Sequence, residues 1–357
     1  MTDFLVKRDD LRECRVAESP APPVESGQAL LRVDSFGLTA NNVTYAVMGE
    51  AMSYWDFFPA GDRWGRVPMW GFAEVERSEA AGVEPGTRLF GYLPPSSHLV
   101  VTPADAGAAG FVDASPHRAA LPSAYHRYLA TGSDPFYRAG SEEIQMLLRP
   151  LFFTSFLIDD QLVDENLVDR GPIAIASASS KTAIAAAFLL AQREGVELIG
   201  LTSPRNAEFV AGLGVYDSTV AYDAIDSLER RPATFVDMAG DGAVRQAVHA
   251  HFGDELVHSM AVGVTHWEEL GAGAGDLPGP TPKFFFAPDR VGKRTGDWGR
   301  AELESRVAGA WHPFCEWTEG WLETIGGEGF DDLKAAYLDV LEARVPPNQA
   351  HVISLSA

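Results

Sequence analysis

From residue 173 onward the chain alternates short apolar runs with segments of helical spacing, and no other feature restricts its fold as much. The runs are IAIA at 173–176, TAIAAAFLLAQREG at 182–195, VELIGLT at 196–202, NAEFVAGLG at 206–214, STVAY at 218–222 and ATFVDMAG at 233–240. A helix-like stretch at 242–252 and a strand-like one at 255–262 continue the pattern. Apolar strands that alternate with helices build a parallel sheet with helices on its faces, so this half is expected to be α/β.

Between the first strand and its helix lies Ser177-Ala178-Ser179-Ser180-Lys181-Thr182, where a dinucleotide-binding sheet carries its glycine-rich turn. Small residues are needed there so that the backbone can approach a pyrophosphate. Ser177, Ser179, Ser180 and Thr182 add hydroxyl donors, and the helix start adds N–H groups and a favourable dipole. Lys181 has two readings, a phosphate partner or a solvated lysine at a helix start. Further on, where NAD-binding chains place an acid for the ribose hydroxyls, this chain has Thr202-Ser203-Pro204-Arg205-Asn206. Hydroxyls beside a guanidinium suit a 2′-phosphate, hence NADP(H) over NAD; the other reading is an ordinary loop with an exposed arginine.

Ahead of this half the chain is punctuated by Gly and Pro, with strand-like runs at 29–33, 72–75, 88–92 and 99–102 and a turn-rich VEPGTR at 83–88. A compact β domain is the economical reading. Residues 144–162 are apolar and read as a bridging helix interrupted by Pro150. After a Gly/Pro-rich passage at 271–282 come an aromatic cluster, an amphipathic helix at 330–343 and a strand at 351–355 that could return to the first sheet. The expected division is 1–145, 146–285 and 286–357, the last completing the first domain.

Two domains also follow from 357 residues, more than one core usually serves. A formal charge of −22 disfavours nucleic acid and anionic membrane surfaces as partners and leaves a small-molecule substrate. Residues 1–16 are charged throughout and no stretch approaches the roughly 18 apolar residues of a membrane span, so a cytoplasmic location is expected. With only Cys14 and Cys315, neither a disulfide framework nor a thiolate zinc cluster is expected.

Residues 173–222, with NAEFVAGLGV before Asp217-Ser218-Thr219-Val220, resemble the NADP-binding half of quinone-oxidoreductase-type medium-chain dehydrogenase/reductases. Asp237-Met238-Ala239-Gly240 matches that superfamily's acidic strand end and small-residue turn near the nicotinamide ribose. LLRVDSFGL at 30–38, GFAEV at 71–75 and residues 83–92 are similar to its opening domain, while TANNVTY at 39–45 and SASSKT at 177–182 resemble a divergent branch known only as a domain of unknown function. The resemblance implies a GroES-like β domain, a Rossmann doubly wound parallel sheet and a C-terminal segment returning to the first domain. It also suggests a homodimer.

The chain departs from the pattern twice. Where zinc-dependent members have a Cys and a Gly-His-Glu group it has Asn, Thr and Tyr residues and Met69-Trp70-Gly71, so no metal is expected. In the turn, Ser177, Ser180 and Ala183 replace glycines.

Hydride transfer from the cofactor is then the natural reaction, with the protein providing orientation and a proton. Asn41 and Asn42 are candidates to hold a carbonyl oxygen. Tyr45 and Tyr54, beside Trp55, are candidates to donate, a phenol being an acid rather than a base at neutral pH. The same aromatics also suit domain packing. Tyr92 and His98 flank Pro94-Pro95 near this region, His98 being read as structural or solvated. The pairs Asp159-Asp160 and Asp164-Glu165 read as a solvated helix end or as acid/base machinery. Phe284-Phe285-Phe286 with Arg290, Lys293 and Arg294 read either as substrate and phosphate contacts or as core with a basic turn. The expected activity is reduction of an activated C=C or carbonyl in a small apolar substrate; the alternative is a lyase, isomerase, hydrolase-like enzyme or binding protein that has lost hydride chemistry.

Overall fold

The strand Ala29–Leu38 organises the first half: all of it is buried except Arg32 and Asp34, so its residues must be covered on both faces. In the computed structural model, which describes residues 1–20, 22–238, 240–262 and 277–355, it pairs antiparallel with Met69–Ser78 on one side and with Gln349–Ser354 on the other. The last strand thus returns to the first sheet, next to Glu323–Glu328. Beyond Met69–Ser78 the sheet continues through Arg88–Leu93, Arg127–Ala130, Gly110–Asp113 and Pro103–Gly107, while His98–Val101 pairs with Ala29–Leu38. Phe36, Trp55, Leu93 and Tyr337 are among the side chains that fill this core. Gly37 is needed where it stands, since a Cβ there would lie 2.9 Å from the carbonyl of Met146.

The chain divides into two units, Met1–Pro150 with Leu322–Ala357, and Leu151–Trp321. Residues 286–321, assigned by sequence to the first domain, therefore lie in the second: Arg290 and Arg294 of the helix Ala287–Trp298 are tied to Asp160 and Asp164 of the helix Glu142–Asp164. That helix runs on through Pro150 where the sequence suggests an interruption. Burial of Phe152, Leu157, Ile158 and Leu162 offsets the missing backbone bond, which alone costs about 3 kcal/mol.

The second unit holds a six-stranded sheet in the order Ser218–Ala221, Leu198–Thr202, Ile173–Ala176, Ala233–Asp237, Leu256–Ala261, Lys283–Phe284, with every pairing parallel. The chain moves outward from Ile173–Ala176 through two strands and then returns to that strand's other side. This reversal is the doubly wound pattern, whose ligands bind beyond the carboxyl ends of the strands at the switch. The switch lies between Ile173–Ala176 and Ala233–Asp237, where Ala176 and Asp237 are register partners.

Two further readings are corrected. Asp159 and Asp160 are buried, Asp159 bound to Arg193 at 2.7 Å and Asp160 to Arg290 and Arg294. They are structural ion pairs, neither a solvated helix end nor acid/base machinery. Arg290 and Arg294 are correspondingly buried and committed to these carboxylates, so they do not form a basic turn, and only Phe285 of the phenylalanine run is buried. Among the described residues no helix is long and apolar enough to cross a membrane.

Candidate functional site

At the switch point the strand Ile173–Ala176 enters the serine turn through Ser177, whose φ of 55° is a left-handed conformation that side chains disfavour. The turn is held from several sides. Ser177 N–H donates to the Tyr222 phenol at 2.9 Å, Ser180 N–H to the Ser177 carbonyl at 2.7 Å, and the Tyr216 hydroxyl to the Ala178 carbonyl at 3.1 Å. Ser180 is the N-cap of the helix Lys181–Leu190, its Oγ accepting from Ala183 N–H at 3.3 Å, which meets one of the helix's otherwise open donors. The carbonyl of Thr182 accepts from Ser155 at 2.8 Å.

Ser179 faces the next loop. Its Oγ accepts from Asn206 Nδ2 at 3.0 Å, with the buried Thr202 hydroxyl at 3.5 Å. Lys181 is half-buried, and desolvation pushes its ammonium down to about 8.

In the second loop the Ser203 hydroxyl is buried and has no hydrogen-bond partner among the described residues. Arg205 is exposed, and its guanidinium forms no ion pair among those residues. An orphaned hydroxyl two positions from an open guanidinium in one loop suits a phosphate oxygen, so the residues present fit the 2′-phosphate of NADP(H). Asp237 is buried at the end of its strand: Oδ1 accepts from Gly240 N–H and Oδ2 from Arg245 Nε, each at 2.9 Å. Its carboxylate is therefore held by the protein itself. Ala239 lies outside the described residues.

The residues expected to do chemistry in the first unit separate into two groups. The Tyr45 phenol accepts from Asn41 Nδ2 at 2.7 Å and from Trp70 Nε1 at 3.2 Å, which engages both oxygen lone pairs and leaves its proton to donate. The Tyr45 and Tyr54 rings pack at 4.7 Å, and the Tyr54 hydroxyl lies 3.5 Å from that of Tyr125. Burial, and then the neighbouring Tyr54, hold the Tyr45 phenol well above its ordinary value, so it is a neutral donor.

Asn42 does not join them. It closes a capping box on the helix Ala40–Val47, accepting from Thr39 N–H at 2.8 Å while its amide donates to the Pro68 carbonyl at 3.0 Å. Both ends of the side chain are engaged by backbone, which corrects its expected substrate role. Trp55 is fully buried in the core, and His98 is held between Ser97 Oγ and Glu76 at 2.9 and 3.0 Å.

Sequence reasoning missed Tyr222 and Tyr125. The first closes a strand-like run and the second lies in a stretch without periodicity, so neither carried a signal. Among the described residues no three His, Cys, Asp or Glu side chains gather as a metal site.

Comparison with solved structures places this architecture. CurA from Vibrio vulnificus in complex with NADPH is 14% identical, each chain covered over 100%, with a TM-score of 0.60. The yhdH oxidoreductase from Salmonella enterica in complex with NADP is 15% identical over 100% of both chains, TM-score 0.58. A putative NADPH:quinone reductase from Bacillus thuringiensis is 12% identical over 99% of both, TM-score 0.58. At such identities these likenesses establish the fold, that of the medium-chain reductases with a GroES-like and a Rossmann part. No curated protein sequence matches the chain. Residues 36–346 match the family described as "Protein of unknown function (DUF2855)", which spans most of the sequence. The chain belongs to that family, and its fold is the one it shares with these solved reductases.

Proposed function

We propose that the chain is an NADPH-dependent oxidoreductase that reduces an activated C=C or carbonyl group of a small, largely apolar substrate without a metal. The observation that carries this reading is the pair formed by the orphaned Ser203 hydroxyl and the open Arg205 guanidinium, in the loop that follows the strand Leu198–Thr202. Structures of the same fold have been solved with NADPH and with NADP, which supports it.

In this reading Ser177, Ser179, Ser180, Lys181 and Thr182 surround the pyrophosphate, and Thr202, Ser203 and Arg205 take the 2′-phosphate. Asp237 borders the nicotinamide ribose. The bound NADPH supplies the hydride. Tyr45 donates a proton or hydrogen bond to the substrate oxygen, with Asn41 holding the phenol in place and Tyr54 packed against its ring.

A second reading, a non-redox enzyme or binding protein on the same fold, is favoured by the turn itself. It lacks glycine, and Tyr222 already engages the Ser177 N–H. Titration with NADPH and NADH separates the two. Micromolar NADPH binding that Arg205→Ala weakens about tenfold, with NADH little changed, supports the reductase, an effect of the size expected for one charge-assisted hydrogen bond. Binding of neither nucleotide overturns it. Oxidation of NADPH by an enone, quinone or thioester then defines the substrate.

A further inference from the structure

Asn206 stands at the N-cap of the short helix Ala207–Gly212, a position where asparagine ordinarily turns its side chain onto the helix's own N–H groups. Here it makes no such bond. Its amide reaches instead to Ser179 Oγ, 27 residues earlier in the chain, at 3.0 Å. Its φ of −104° and ψ of −2° are helical and continue the turn Pro204–Asn206, so the side chain does not cap locally and is left to join two loops.

That bond has a directional consequence. A serine oxygen has two lone pairs and one proton. With Asn206 Nδ2 and Thr202 Oγ1 both donating to Ser179, its own O–H is left to donate elsewhere. The loop so fastened is the one carrying Ser203, whose hydroxyl is orphaned, and Arg205, whose guanidinium has no ion pair among the described residues. Fastening the loop before a ligand arrives lowers the ordering cost of binding.

We propose that Asn206 is a positioning residue for nucleotide selectivity: its tie to Ser179 fixes the 202–206 loop, so that preference for a 2′-phosphate depends on it, while the Ser179 hydroxyl it orients serves the pyrophosphate common to both nucleotides. The inference rests on the NADPH reading above and goes beyond it, because Asn206 itself need not touch the nucleotide. Removing the tie leaves the turn's backbone in place, so of the pyrophosphate contacts, common to NADPH and NADH, only that of the Ser179 hydroxyl is weakened. Contacts made only by the 2′-phosphate are weakened most.

The test titrates the full chain and its Asn206→Ala and Asn206→Asp variants with NADPH, NADH and 2′,5′-ADP, with thermal unfolding alongside. Asn206→Ala removes the donor without adding charge and carries the comparison, Asn206→Asp keeps the shape but adds a charge that repels phosphate from every probe, and a half-exposed position tolerates either change. The expected result is a loss of about tenfold for NADPH and 2′,5′-ADP, a smaller loss for NADH, and an unfolding midpoint close to that of the parent. In an Arg205→Ala background the same substitution should separate NADPH from NADH binding less than it does in the parent. Wild-type binding of NADPH with equal losses for both nucleotides, or none, overturns the role of Asn206 and leaves the reductase reading standing. If the wild-type chain binds none of the three probes, the reading and the inference fall together.

Discussion

The phenol of Tyr222 accepts the backbone N–H of Ser177 at 2.9 Å, fastening the first turn of the parallel sheet to the segment that follows its third strand. Ser177 is at φ 55° while it makes this bond. A left-handed residue with a Cβ costs roughly 1–2 kcal/mol, and the extra freedom glycine gives the unfolded chain costs roughly 0.5–1 kcal/mol. Ser177→Gly should therefore stabilise the protein by about 0.5 kcal/mol. Urea unfolding measures it, and a lower midpoint at unchanged slope would show that the Ser177 side chain contributes more than its backbone strain removes.

Lys181 gives the turn a pH dependence of definite sign. Desolvation places its folded value at about 8, below the value of about 10.4 for an unfolded lysine. Between these the unfolded chain binds more protons, so this group's contribution to stability rises with pH across that window and is lost as pH falls through about 8. Lys181→Met should flatten the rise and be more stable than the parent at pH 7 by on the order of 1 kcal/mol. The difference between the two stability curves isolates this lysine from the tyrosines that titrate nearby. An identical pH dependence in both proteins would refute the assignment. A phosphate beside the ammonium would favour its charged form, so NADPH affinity should fall between pH 7 and 9 in the parent and much less in the variant.

The parallel sheet was legible because its signal is local: fully buried strands such as IAIA and the alanine-rich helix Lys181–Leu190 are apolar on every side, and no tertiary contact is needed to read them. The strand character of Gln349–Ser354 was local too, whereas its return to the first sheet, pairing His351 with Leu38, was carried by the family resemblance. Side-chain contacts between distant residues were not legible. Asn42 resembled a substrate ligand because its bond to the Pro68 carbonyl spans 26 residues, and Asp160 resembled a solvated acid because Arg290 and Arg294 lie more than a hundred positions away. In the serine turn the residues could be named from sequence, but the Asn206 to Ser179 bond and the Tyr222 bond depend on how the loops fold together.

Asp160 carries a stability prediction of its own. Arg290 and Arg294, both buried, donate to it, and Arg294 Nε lies 2.8 Å from its Oδ2. Asp160→Ala leaves two guanidinium groups with less compensation in a site from which water is excluded. The cost should be about 3 kcal/mol, read as a fall in the urea midpoint. A change below about 0.5 kcal/mol would mean that Asp164, which also binds both arginines, compensates for the pair alone.

Tyr45 is the sharpest test of chemistry in the first unit. Its oxygen accepts from Asn41 and Trp70, and burial holds its proton on through neutral pH, so the group is a hydrogen-bond donor throughout the working range. Tyr45→Phe removes only the hydroxyl. It leaves the Asn41 and Trp70 donors without their acceptor, a stability cost of about 1–2 kcal/mol, and keeps the ring against Tyr54 and Tyr92. Because the residues proposed to hold the nucleotide belong to the other unit, NADPH affinity should be unchanged, while kcat for a reducible substrate should fall about 10²–10⁴-fold, the usual contribution of a positioned proton donor. Since the phenol's own titration lies far above neutrality, the parent's rate should show no loss from tyrosine ionisation below about pH 10. A variant that keeps full kcat would reduce Tyr45 to a packing residue. One that loses NADPH affinity as well as rate would point to a structural fault rather than a missing proton, and the thermal midpoint would then fall by more than the two unpaired donors explain.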